Sequence, residues 1–333
     1  MTETLAQAIR RTIDTKTKPL GALGRIETLA EQIALLQGTT APTMTGCTLT
    51  IFAADHGIAD AGVSAFPQVV TGQMVLNFLA GGAAANVFAR VNDVTLQVVD
   101  AGVTGTPIVH PALLDRRIGP GTASFLDGPA MDRGDARRAL DEGAAIARAA
   151  TGDALAFGEM GIANTATAAA LAHKLTGLPL ADLVGRGTGL DDSGLAHKLD
   201  VLTRAAARTG ALTPEAAMAE YGGFEIVMMA GAMLETARAR RVVMVDGFIA
   251  TAAALLATKL DPESRRAMVF CHASHEAGHR TLLAALDAAP LLQLDMRLGE
   301  GTGALLAWPL LRAAAAMMTD MASFETAGVS NRD

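Results

Sequence analysis

Short apolar runs alternate along this chain with longer segments of helical periodicity, and that alternation restricts its fold more than any other feature. The runs lie at Leu49 to Ala54, Val94 to Val99, Ala154 to Phe157, Val242 to Val245, Met268 to Cys271 and, with a weaker pattern, Leu291 to Leu294. Each has the length of a buried strand. Between them lie segments such as Asp132 to Ala150 and Phe224 to Arg241, whose apolar residues recur at about helical spacing and which are long enough to cross a sheet. The expectation is an α/β fold with a parallel, Rossmann-like sheet flanked by helices. Polar residues and glycines collect just past the runs, as Asp55-His56-Gly57, Asp100-Ala101-Gly102, Gly158-Glu159-Met160-Gly161 and Asp246-Gly247. Parallel α/β proteins bind their ligands at that edge of the sheet.

Two segments fall outside the alternation. Residues 3–37 read as two helices separated by Lys18-Pro19-Leu20-Gly21, and the tail after Thr302 reads as helical apart from Pro309. They are expected to join as a smaller helical lobe, 1–39 with 301–333, beside a large α/β domain, 40–300, that carries the active site. No Pro/Ser linker, low-complexity run or internal repeat divides the chain further.

Composition narrows the function. With 50% hydrophobic and 18% charged residues, 34 glycines and 4% aromatics, the 333-residue chain suits close-packed helices and glycine loops, not a β-sandwich or a disordered polymer. Its 27 Lys and Arg against 34 Asp and Glu, with one Trp and one Tyr, give neither a basic footprint nor many stacking rings, so nucleic acid is not an expected partner. Two cysteines, Cys47 and Cys271, are too few for a disulfide framework or a four-cysteine zinc site and read as core thiols in a reducing cytoplasm. Met1 to Lys18 has no apolar signal region, and charges are expected to interrupt every longer apolar stretch before the ~18 residues of a membrane span, as Lys259 does after Phe248 to Ala257. The expectation is a cytoplasmic protein without a membrane partner.

Two motifs point toward other chemistry. His275-Glu276-Ala277-Gly278-His279 matches the zinc-hydrolase pattern of two histidines four apart on a helix, and Glu300 could be offered as a third ligand. It follows directly on a strand, however, and Gly278 weakens helix there, so the plainer reading is a polar loop leading into a helix. Gly299-Glu300-Gly301-Thr302-Gly303-Ala304 fits a dinucleotide fingerprint, but it places a carboxylate beside the expected pyrophosphate and has no βαβ partner after it. There is no Walker A sequence and no G-x-S-x-G nucleophile elbow.

Two glycine loops carry more weight. Phe157 to Thr165 runs from a strand through glycines into a helix expected to be capped by Asn164 or Thr165, and exposed amides at such a start suit an anion. Val184-Gly185-Arg186-Gly187-Thr188-Gly189-Leu190-Asp191 lets the backbone approach a ligand and leads into a helix bearing Lys198, read as a mobile cation for a phosphate.

Six segments occur in order between residues 17 and 303: Thr17-Lys18-Pro19-Leu20-Gly21-Ala22-Leu23-Gly24-Arg25, Ala54-Asp55-His56-Gly57, Gly62-Val63-Ser64-Ala65-Phe66-Pro67, Gly158-Glu159-Met160-Gly161-Ile162, Gly185-Arg186-Gly187-Thr188-Gly189-Leu190-Asp191 and Arg297-Leu298-Gly299-Glu300-Gly301-Thr302-Gly303. In these the chain resembles the nicotinate-nucleotide:dimethylbenzimidazole phosphoribosyltransferase family, which makes the lower ligand of cobalamin. Ala22 stands where the family leads one to expect Ser, and Ala163 where it leads one to expect Gly; neither position should hold a reacting group.

The resemblance implies a glycosyltransferase, a pentosyltransferase, that moves 5-phosphoribosyl from nicotinate mononucleotide to 5,6-dimethylbenzimidazole and yields α-ribazole 5′-phosphate and nicotinate. It implies no cofactor and no metal, since cleavage neutralises the pyridinium nitrogen of the leaving group. It implies Glu300 as general base and Glu159 as a second catalytic carboxylate, Ser64, Gln73, Met160 and Leu298 around the acceptor base, and Gly161, Gly187, Lys198, Asp246 and Ser274 around the phosphoribosyl group. Asp246 is expected on the ribose hydroxyls, while His56 and His275 have no assigned task. A homodimer is expected, with each site near the other subunit. The alternatives are the same transfer to another base or a phenol, or, from a different class, a zinc hydrolase using His275 and His279.

Overall fold

The computed structural model of the chain describes residues 3–330 and contains one sheet of six parallel strands. They are β1 (Cys47–Ala54), β2 (Thr95–Gly102), β3 (Leu113–Asp115), β4 (Ala154–Met160), β5 (Val242–Val245) and β6 (Met268–Phe270), in the order β3-β2-β1-β4-β5-β6. Every residue of β1, β5 and β6 is buried, as are six of the seven in β4. Strands covered on both faces need no polar alternation, which is why they read as unbroken apolar runs.

The chain departs from β1 toward β2 and β3, then returns to add β4, β5 and β6 on the other side. The order therefore reverses between β1 and β4, and the crevice past their carboxyl ends is where a doubly wound sheet receives a ligand. Two expectations about strands are corrected. Leu113–Asp115 is a short edge strand with no run to announce it. Leu291 to Leu294 forms no strand; it lies along the end of β6 through the Leu291 and Leu292 N–H groups, which donate to the carbonyls of Phe270 and Cys271, and a single bridge between Leu292 and His272.

The helices in chain order are α1 (Leu5–Asp14), α2 (Arg25–Gln37), α3 (Val69–Ala80), α4 (Ala84–Val91), α5 (Arg133–Ala149), α6 (Asn164–Thr176), α7 (Asp192–Ala207), α8 (Pro214–Tyr221), α9 (Phe224–Arg238), α10 (Phe248–Leu260), α11 (Ala277–Ala285), α12 (Thr302–Thr319) and α13 (Phe324–Ala327). Asp132 caps α5 by accepting from the Asp135 N–H, as the Asp132 boundary anticipated. Helix α12 continues through Pro309 where the sequence suggested an interruption.

One apolar stretch is longer than expected. Val69 to Val91 is 23 residues of mean hydropathy 1.4, long and apolar enough by composition to cross a membrane, and no charge interrupts it before Arg90. The chain breaks it at Gly81, which adopts φ 80°, into the separate helices α3 and α4.

The two terminal segments do meet. Helix α2 packs on α1 and α12, and the Thr17 N–H donates to the Ala322 carbonyl while the Phe324 N–H donates to that of Thr15. Leu29 and Ile33 of α2 and Trp308 and Leu311 of α12 are continuous with the apolar core around the sheet. We propose that these segments form the lobe expected for 1–39 and 301–333, seated on the domain at 40–300; residues 1–2 and 331–333 lie outside the described residues.

Candidate active site

Past the carboxyl ends of β4, β5 and β6 lies a cavity of about 340 Å³. Eight of the eleven residues expected at a site line it: Glu159, Met160, Gly161, Gly187, Asp246, Ser274, Leu298 and Glu300. Phe66, Val70, Met74, Phe248 and Ile249 add apolar wall, while Asn164, Thr165, His272, Glu276 and Arg297 add polar groups.

The loop that carries Glu300 has an uncommon backbone. Gly299, Glu300 and Gly301 have φ of 85°, 61° and 79°, three left-handed residues in succession, of which only Glu300 has a side chain to strain. Glycine is required here for space as well. A Cβ on Gly158 would stand 2.6 Å from the Glu300 carbonyl, and one on Gly299 would overlap the Oε1 of Glu159. The loop thus lies directly on β4, and its proximity to Glu159 follows from the absence of two side chains.

Asp246, just past β5, fixes the loop from the other side. Its Oδ1 accepts from the N–H groups of Gly303 at 2.7 Å and Ala304 at 3.1 Å, and its Oδ2 accepts from Gly301 at 3.2 Å. A carboxylate at a helix N-terminus satisfies unpaired donors and opposes the helix dipole. This arrangement engages both oxygens at the start of α12 while keeping Asp246 on the cavity wall, where a contact with ribose hydroxyls was expected. It also removes the dinucleotide reading of Gly299 to Ala304, since the amides that would hold a pyrophosphate already hold Asp246 and the motif follows a loop instead of a strand.

Burial raises the pKa of both candidate catalytic carboxylates. Glu159 is pushed up to about 8, first by burial, against the pull of the Asn164 amide that donates to its Oε2, and further by the nearby charges of Asp246, Glu225 and Glu300. Glu300 is also raised by burial, held back by the Ala85 N–H that donates to its Oε2 at 3.3 Å, and raised again by Asp246.

Three expected residues lie off the cavity wall. Lys198 is buried behind it, donating from Nζ to Thr165 Oγ1 at 2.8 Å and to the Gly185 carbonyl at 3.1 Å. It braces the back of the Gly187 loop and is not the mobile cation expected, and burial holds its pKa down at about 8 although Glu276 pulls it upward. Ser64 is half-buried and accepts from the Phe66 N–H at 3.4 Å. Gln73 is exposed on α3, where the i, i+4 pair Val70 and Met74 faces the cavity instead. Val70 and Met74 are apolar residues one turn apart, beside the buried face of Thr71, Val75 and Phe78.

The start of α6 also differs from expectation. Ala163, not Asn164 or Thr165, holds the N-cap position, with φ 73° and no side-chain cap. Glycine would adopt that conformation without strain, which accounts for glycine being the expected residue there. Freed from capping, Asn164 turns to Glu159, and Thr165 joins Lys198 to the cavity wall. Glu276, which the zinc reading had claimed, accepts from the Gly187 N–H at 3.2 Å and so braces the same loop.

The zinc site does not assemble. Helix α11 begins at Ala277, so His275 lies outside it and is exposed near Asp295, while His279 is buried, accepts the Ser274 N–H at Nδ1 and contacts Thr251 Oγ1 through Nε2. Burial pushes the His279 pKa down to about 3, with His272 adding to the effect. Among the described residues no group of three His, Cys, Asp or Glu side chains is placed to hold a metal ion. His56 is also buried beneath the cavity, between Glu225 at 2.8 Å and Thr167 at 2.9 Å.

A carboxylate whose folded pKa lies above its unfolded value binds its proton more tightly in the native state, so stability falls as pH rises from the unfolded pKa to the folded one. For Glu159 that window runs from 4.5 to about 8. Glu159→Gln removes the titration, so the variant should gain stability relative to wild type between pH 5 and pH 8 in denaturant melts. An equal difference at the two pH values would contradict the burial of an ionisable Glu159.

Comparison with known proteins places this geometry. The phosphoribosyltransferase family model DBI_PRT matches residues 1–329. Curated proteins named nicotinate-nucleotide–dimethylbenzimidazole phosphoribosyltransferase from Cupriavidus taiwanensis and Dechloromonas aromatica are 56% and 53% identical, with 98% and 99% of this chain covered and 96% and 97% of theirs. The crystal structure of CobT from Thermus thermophilus superposes with a TM-score of 0.96 at 48% identity, covering 98% of this chain and 99% of that one. With its full length matched in sequence and in fold, the chain belongs to the nicotinate-nucleotide–dimethylbenzimidazole phosphoribosyltransferase family.

Proposed function

We propose that this enzyme transfers 5-phosphoribosyl from nicotinate mononucleotide to N1 of 5,6-dimethylbenzimidazole, with inversion at the anomeric carbon. The observation that carries the reading is the pairing of Glu300 and Glu159 in one cavity, in a chain 56% identical to enzymes of that name. The bond from the anomeric carbon to the pyridinium nitrogen breaks with its electron pair going to nitrogen, which neutralises the ring and releases nicotinate. One benzimidazole nitrogen forms the new bond as the N–H on the other gives up its proton.

Glu300 is assigned that proton. Its pKa is raised by burial, which makes it a stronger base than an exposed carboxylate. Glu159, held at about 8 and bonded to Asn164, is assigned the auxiliary position, its ionised form opposing the positive charge that develops on the ribosyl carbon. Met160, Leu298, Phe66, Val70 and Met74 supply an apolar wall suited to a dimethylated aromatic ring. At the other end, Gly161, Gly187 and Ser274, with Lys198 bracing the loop, are assigned the phosphoribosyl group.

Glu300→Gln should leave the fold intact and lower turnover by roughly 10²–10⁴-fold, the usual worth of a general base. Nicotinate release with both substrates saturating is the measurement. The defect should shrink for acceptors with a more acidic ring N–H, whereas the defect of Glu159→Gln should depend less on acceptor acidity. Turnover like wild type in folded Glu300→Gln protein would reject the assignment.

We also propose a homodimer acting in the cytoplasm, an environment that suits two free buried thiols. Val69 and Leu76 on α3 are exposed by 61% and 53% and flank Gln73 at helical spacing, and Phe66, before the helix and on the cavity wall, is exposed by 50%. A second copy seated there would cover this stripe and bring Gln73 into an interface next to the site. Sedimentation should give about twice 34.2 kDa for the wild type and 34.2 kDa for Leu76→Asp. A monomeric wild type would remove the dimer.

A further inference from the structure

His272 was not among the residues expected at the site, yet it stands where β6 ends, lines the cavity and is only 2% exposed. Its Nδ1 lies 3.6 Å from Asp246 Oδ1 and has no hydrogen-bond partner. Gly303 packs so closely on this side of the ring that a Cβ there would overlap Nδ1. The imidazole is therefore held with Nδ1 against the Asp246 carboxylate, and a neighbouring carboxylate draws the ring proton to the nitrogen that faces it. Nε2 is then the acceptor, and it lies away from Gly303, 4.0 Å from where a Cβ on Gly247 of the cavity wall would stand.

An acceptor in that position selects its ligand by chemistry. Phosphate and the nicotinate carboxylate present oxygens that themselves accept, so they are poor partners for it. The benzimidazole N–H is a donor, but Glu300 is assigned to it. The ribose hydroxyls are the remaining donors, and the residues around His272 on this wall, Gly247 and Ser274, are at the end assigned to the phosphoribosyl group. We propose that His272 Nε2 accepts a hydrogen bond from a ribose hydroxyl of nicotinate mononucleotide, with Asp246 fixing the ring's tautomer and orientation. The inference rests on the phosphoribosyl-transfer reading and adds His272 to Asp246 on the side expected to hold the ribose.

The test compares kcat/KM for nicotinate mononucleotide with its 2′-deoxy and 3′-deoxy analogues in wild type, His272→Asn, His272→Gln and His272→Ala, each confirmed folded by melting. The Asn side chain keeps a polar group at the Nδ1 position and loses the one at Nε2; the Gln amide reaches toward Nε2. Wild type should prefer the ribonucleotide over one deoxy analogue by roughly tenfold, about the worth of one hydrogen bond. That preference should vanish in His272→Asn and His272→Ala and survive in part in His272→Gln. A wild type without the preference, or a preference unchanged in His272→Asn, would overturn the contact. A loss falling equally on all three substrates and rescued by Asn would show that His272 acts only through Asp246, and a change confined to discrimination against nicotinamide mononucleotide would place Nε2 on the nicotinate carboxylate; either overturns it. Failure of wild type to release any nicotinate would instead sink the transfer reading itself.

Discussion

The carboxylate of Asp246 joins the end of β5 to the start of α12, and the arrangement of the cavity depends on that joint. Three backbone N–H groups, from Gly301, Gly303 and Ala304, converge on its two oxygens. Hydrogen bonds to an ionised group contribute about 1.5–3 kcal/mol each, enough to offset the strain of Glu300 at φ 61°. The joint sets where the loop lies, and Gly158 and Gly299 allow it to lie against β4. Glu300 therefore reaches the cavity from the carboxyl-terminal segment, while Glu159 reaches it from the middle of the sheet. His272, pressed between Asp246 and Gly303, takes its orientation from the same joint.

Gathering Glu159, Asp246 and Glu300 at one water-poor edge has an electrostatic cost, and the three groups meet it differently. Asp246 is offset by backbone donors, Glu159 by the Asn164 amide and by a raised affinity for protons, and Glu300 by one N–H from Ala85. Burial nevertheless raises the pKa of all three, that of Glu159 to about 8. Glu225, buried beneath against His56, adds to the field on Glu159 without touching the cavity wall. At the opposite end, Glu276 on the cavity wall and Lys198 behind it brace the Gly187 loop.

Much of this was legible in the sequence because burial on both faces leaves a strand no choice but to be apolar. Five of the six strands coincide with apolar runs, and the glycine loops past them mark the cavity. Where runs were short or competed with turns, the reading failed for local reasons. Leu113–Asp115 is too short to show a pattern, and Leu291 to Leu294 has the composition of a strand but pairs only at its start. Val69 to Val91 carries no charge before Arg90, so charge does not limit its length; the turn at Gly81 does. Of the residues implied by the family resemblance, Asp246 lines the cavity while Gln73 and Lys198 do not, because motif position does not state which way a helix face turns. His272 carried a usable signal, being a polar residue just past an apolar run, as Asp55 and Asp246 are.

The joint at Asp246 is tested most directly by amide hydrogen exchange in Asp246→Ala beside wild type. Loss of the acceptor should speed exchange at Gly301, Gly303 and Ala304 by roughly tenfold or more, as for a segment released to open locally, while the amides of β1 and β4 stay protected. Unchanged exchange at those three amides in a folded variant would contradict the account, because the loop bearing Glu300 would then be held by something other than the carboxylate of Asp246.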